Sequence, residues 1–80
     1  MVTALYLSID QVIKSPTADS EKVFVEIIEK THFSGAAVSY MLESFFKGEN
    51  IRKYIVVVLK RGGFKYEAET IERICREEDK

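Results

Sequence analysis

Residues 51–69 read IRKYIVVVLKRGGFKYEAE, and two structures compete for them. As a hairpin, the β-branched run Ile55-Val56-Val57-Val58 favours a strand, and Gly62-Gly63 suits a two-residue type I′ turn. Leu59 then faces Tyr66 and Val57 faces Ala68, which puts Ile55, Val57, Leu59, Tyr66 and Ala68 on one apolar face. As a helix, Ile51, Tyr54, Ile55, Val58 and Leu59 share a stripe, Asn50 caps the start and Gly62 ends it. Arg52 and Lys53 would then sit at the positive end of the helix dipole, an unfavourable place for cations. We read the stretch first as a hairpin. The helix is the alternative, with the last helix then starting near Tyr66.

Upstream, residues 26–48 read EIIEKTHFSGAAVSYMLESFFKG: two amphipathic segments separated by a break at His32-Phe33-Ser34. In the first, Val23, Ile27 and Ile28 recur on one helical face with Phe24 beside them, and Asp19 or Ser20 serves as N-cap. In the second, Val38, Met41, Leu42 and Phe45 form the apolar stripe, Ser34 is the N-cap, and Gly48 stops the helix. Gly35, Ala36, Ser39, Tyr40, Glu43 and Lys47 fall on its outward side. Phe45 and Phe46 are adjacent and cannot both face one core, which marks Phe46 as a residue for an interface.

This unit resembles the helix-turn-helix of winged-helix DNA-binding proteins. Glu26-Ile27-Ile28 corresponds to the Glu-Leu-Ala of their first helix. His32-Phe33-Ser34 corresponds to the turn, and Ser34, Val38, Ser39 and Leu42 to the recognition-helix pattern. Ile28 stands where the family carries a small residue, and His32 where it carries glycine, although histidine tolerates the left-handed region better than most residues. The resemblance implies a transcription-regulatory protein that binds duplex DNA as a homodimer. Ser39, Tyr40 and Lys47 would contact DNA from the second helix, Lys60, Arg61 and Lys65 from the wing, and Arg52 and Lys53 would touch the backbone. The second helix offers no Arg, Asn or Gln for bidentate base contacts.

The charge distribution bears on the same point. Residues 1–46 hold three basic and six acidic side chains, residues 47–65 six basic and one acidic, and residues 66–80 three and six. The excess positive charge therefore lies in residues 47–65, where it either meets phosphates or blunts a strand edge.

The remaining segments are short. Val2, Leu5, Ile9, Val12 and Ile13 place a helix over 1–14, with Thr3 as a cap and a short strand over 3–9 as the alternative. Ser15-Pro16-Thr17 ends it, because a residue before proline is pushed out of the α region. Residues 70–80 close the chain as a helix, with Ile71, Ile74 and Cys75 inward and Glu72 and Arg76 at ion-pair spacing.

Eighty residues imply a single domain over 1–80, near the lower limit for a self-sufficient core. At 46% hydrophobic and 31% charged, the composition excludes a disordered or membrane-spanning class. One cysteine allows no internal disulfide and fits a reducing, cytoplasmic setting, and no secretory leader is expected. His32 is the only histidine and has no Cys or His partner at metal-ligand spacing, so it reads as a turn residue. The terminal carboxylates read as a solvated face, and Gly62-Gly63 lacks the surroundings of a phosphate loop. No enzyme and no cofactor is expected. The fold expected is therefore mainly α with a β-hairpin, a small winged helix-turn-helix-like domain. The alternative is an all-α five-helix bundle acting as a protein–protein interaction module without nucleic-acid binding, with Tyr40 and Phe46 on its partner surface.

Overall fold

The computed structural model describes the backbone of residues 2–78 and the side chains of residues 3–74. It is all-helical over the described residues: α1 Val2–Lys14, α2 Ala18–Thr31, α3 Gly35–Phe45, α4 Glu49–Arg61 and α5 Lys65–Glu78. The hairpin over residues 51–69, and with it the wing, is absent. The five-helix alternative describes the chain.

Burial explains why residues 49–61 choose the helix. Ile55, Val56, Val58 and Leu59 are buried while Val57 is 44% exposed. That is a period near 3.6; a strand would have put Val57 on the same face as Ile55 and Leu59. One isoleucine and three valines in a row cost a helix a few tenths of a kcal/mol each, at most about 0.7. Burying each aliphatic side chain returns about 1.5–3 kcal/mol, so the apolar stripe decides. The cations at the helix start are moderated by Glu49 in the first turn, which pairs with Lys53 at 3.2 Å, while Lys60 and Arg61 occupy the favourable last turn. Gly48, at φ 145°, replaces Asn50 as N-cap and makes no side-chain capping bond.

Gly62-Gly63 ends α4 instead of turning a hairpin. Gly62 is right-handed (φ −81°), and only Gly63 takes positive φ (92°). The Phe64 amide donates to the Leu59 carbonyl at 2.9 Å and the Gly63 amide to the Lys60 carbonyl at 3.2 Å. This is a Schellman closure with glycine at the left-handed position.

The chain divides into two compact units, residues 1–33 and 34–80. In the first, α1 packs on α2. Leu5, Ile9 and Val12 of α1 are fully buried, as are Phe24 and Ile28 of α2. The inward stripe of α2 is Ser20, Phe24 and Ile28, not Val23, which is half exposed. Its cap is Thr17 in place of Asp19 or Ser20. The Ser20 amide donates to Thr17 Oγ1 (3.1 Å), the Thr17 amide donates to Ser20 Oγ (2.9 Å), and the Ser20 hydroxyl donates to the Ser15 carbonyl (2.8 Å). Serine thus does at the third position what glutamate does in a standard capping box. His32 closes α2 in the left-handed region (φ 55°).

In the second unit α3 and α4 both pack on α5. Its core comprises Val38, Met41 and Leu42, the four α4 residues above, and Ala68 and Ile71. Ser34 caps α3, accepting from the Ala37 amide at 3.2 Å. The expected inward places of Val2 and Cys75, and the Glu72–Arg76 pairing, fall outside the described side chains.

The two glycines separate the two folds experimentally. Gly63→Ala should destabilise the protein by about 1–2 kcal/mol because it forces a Cβ into the left-handed region. Gly62→Ala should change stability by less than about 0.5 kcal/mol or raise it slightly. Urea unfolding midpoints measure both, whereas a type I′ hairpin would make both substitutions costly.

Candidate functional site

Every residue singled out for binding lies in the second unit. The α3 face is the first test. Gly35 and Ser39 were expected outward, and both are buried, Ser39 at 2% exposure. The cause is the approach of α5. A Cβ built on Gly35 would lie 2.6 Å from the Glu67 carbonyl oxygen and 2.8 Å from Thr70 Cβ. The first turn of α3 therefore rests directly on α5, and the missing side chain of Gly35 is what allows it. The outward face is Ala36, Tyr40, Glu43 and Ser44, with Tyr40 72% exposed. Phe45, expected in the core stripe, ends the helix 60% exposed, while Phe46 is half-buried. The aromatic pair thus divides in the opposite sense to the expected one.

The basic residues do not form one surface. Lys47 and Arg52 meet at the α3–α4 corner, where a cavity of about 170 Å³ is lined by them with Leu42, Glu43, Phe46 and Gly48. Lys53 and Lys60 lie on the outer face of α4, two turns apart, with Val57 between them. Both are held in ion pairs, Lys53 with Glu49 and Lys60 Nζ with Glu72 Oε1 of α5 at 2.8 Å. Arg61 and Lys65 are exposed on either side of the Gly62-Gly63 turn. Of the three cations that a wing would have carried at its tip, Lys60 is instead drawn onto Glu72 of α5.

The outward face of α5 carries a second concave feature that the sequence reading missed. A cavity of about 460 Å³ is lined by Lys60, Tyr66, Glu69, Thr70, Glu72 and Arg73. Tyr66 is 74% exposed. Glu69 and Arg73 have no ion-pair partner among the described residues. The signal was present in the sequence, since Tyr66, Glu69 and Arg73 recur at helical spacing. Assigning Tyr66 to a hairpin face concealed it.

Among the described residues, no group of three His, Cys, Asp or Glu side chains is placed to hold a metal ion, and no helix is long and apolar enough to cross a membrane. No family model, curated protein or solved structure matches the chain.

Gly35→Ala tests the close approach that sets the α3 face. The clash is with backbone, so relief needs α3 to move off α5, and the expected loss is about 1–3 kcal/mol. In thermal unfolding this lowers the melting temperature by roughly 4–8 °C per kcal/mol. Ala36→Ser, one residue on and exposed, should shift it far less.

Proposed function

We infer that this chain is a small helical protein–protein interaction module whose partner surface is the exposed side of α3. It acts by binding rather than catalysis, in the cytoplasmic setting that its single cysteine suits. The observation that carries the reading is Tyr40. Its ring is 72% exposed at the middle of a helix whose other side is anchored on α5, with the small residues Ala36 and Ser44 one turn to either side. Exposed tyrosine on a rigid element is a favoured anchor for protein partners, because it offers apolar area and a hydroxyl at small entropic cost. Phe45 adds a second exposed ring at the helix end.

Duplex DNA is the second reading, favoured by the positive excess of residues 47–65. Its weakness is physical. Lys53 and Lys60 are already compensated by carboxylates, Ser39 is buried, and no donor on α3 reads a base edge in bidentate fashion.

One experiment separates the two. The tagged protein and its Tyr40→Ala/Phe45→Ala variant are used to capture partners from extracts of the source cells, and captured proteins are then titrated in purified form. A partner that binds the parent at least about ten-fold more tightly than the variant supports the module, as loss of an interface anchor costs more than about 1 kcal/mol. In parallel, fluorescence anisotropy with a mixed-sequence duplex should show no binding at low salt. Salt-sensitive DNA binding that Lys53→Ala/Lys60→Ala removes would replace the protein-module reading with the DNA one.

A further inference from the structure

The outward face of α5 sets an acid and a base beside an exposed tyrosine and a cavity. Glu69 and Arg73 are four residues apart, with the acid N-terminal to the base, the orientation in which a helix most readily forms an i,i+4 ion pair. Two other pairs at that spacing close, Asp10–Lys14 (3.1 Å) and Glu49–Lys53 (3.2 Å), whereas Glu26 and Lys30 of α2 form no ion pair among the described residues. On α5 the two charges stay apart, and both border the 460 Å³ cavity with Tyr66. With no ion-pair partner among the described residues, this acid and base four residues apart on the Tyr66 face form a self-complementary pattern.

We propose that this face is the site where a second copy of the chain docks, α5 against α5 in antiparallel orientation about a two-fold axis. With the axis at the level of Ile71, Glu69 of each copy lies opposite Arg73 of the other. Two ion pairs form, related by symmetry, as an isologous interface requires. The same register sets position 65 against position 77, a lysine against a glutamate in the sequence. Tyr66 stands one turn from Glu69 and two from Arg73. Its ring reaches across the axis into the cavity of the second copy, towards the Arg73 guanidinium, a contact between an aromatic face and a cation. The Lys60–Glu72 pair forms the far wall of that cavity and fixes α4 to α5 beside it. A parallel pairing or a four-residue slip sets like charges together, so charge disfavours those registers.

The surface is a single 14-residue helix with one aromatic anchor per copy, less than a permanent dimer interface needs. The dimer is therefore one that forms with concentration and weakens with salt. It uses none of the α3 residues, so its success or failure is independent of the partner surface assigned to Tyr40.

Charge reversal with rescue is the test, read by sedimentation equilibrium of the full chain at low and moderate salt. Circular dichroism confirms that each variant keeps the parent helix content. The parent should self-associate as a dimer, less at the higher salt. Glu69→Arg and Arg73→Glu should each weaken association by about ten-fold or more, because each sets like charges against each other twice. The double variant Glu69→Arg/Arg73→Glu should recover association to within about three-fold of the parent, since both pairs re-form with their signs exchanged. Tyr66→Ala should weaken it without changing its salt dependence. A parent that stays monomeric at low salt and high concentration overturns the proposal. So do single reversals without effect, or a double variant no better than the singles.

Discussion

The second unit depends on one close approach, the first turn of α3 lying on α5 at Gly35. Helices normally keep 8–10 Å between axes because side chains fill the space. Here a missing Cβ brings α3 backbone into contact with the Glu67 carbonyl and the Thr70 side chain. That contact determines which side of α3 can carry function. Gly35, Ser39 and Leu42 follow one another down the buried side, which leaves Tyr40 at the crest of the opposite one.

Most of the helical skeleton was legible. The stripes Leu5-Ile9-Val12 and Val38-Met41-Leu42, the Ser34 cap, the left-handed His32 and the Pro16 boundary all follow from local rules, and local rules act within one or two turns. The reading failed where one local signal has two structural uses. Gly-Gly supplies positive φ, and positive φ serves a type I′ turn and a Schellman closure equally. Ile55-Val56-Val57-Val58 is a good strand by propensity, but propensity differences of tenths of a kcal/mol yield to burial worth several. The position of Val57, alone on the solvent side, could not be read before knowing what α4 packs against. The cap of α2 was misplaced for a smaller reason. Serine at the third helical position mimics the usual acidic partner, a substitution that a motif search does not anticipate.

The candidate sites were less legible than the fold. Tyr40 falls on the outward side of α3 by period alone. Ser39 does not betray its burial, because serine is ordinary on a helix surface; only the Gly35 contact pulls its side of α3 inward. For the basic residues the sequence supplied the charges but not their partners, since Lys60 meets Glu72 across the α4–α5 turn, twelve positions away. The groove on α5 was hidden entirely by the hairpin reading, which had committed Tyr66 to an apolar face.

The run that makes α4 ambiguous also makes it hazardous. Tyr54 to Leu59 is an uncharged six-residue block of strong strand formers, the composition that stacks into intermolecular sheets once a chain loses its native contacts. Folding α4 as a helix withdraws that block, turning all of it inward except Val57 and the half-buried Tyr54. On either side stand paired cations, Arg52-Lys53 before and Lys60-Arg61 after, where gatekeeper charges oppose stacking of identical segments. These four residues, read from the sequence as DNA contacts, two in the wing and two on the backbone, are thus also a guard against aggregation. Changing them to neutral residues lowers the solubility of the unfolded chain whatever it does to the folded one.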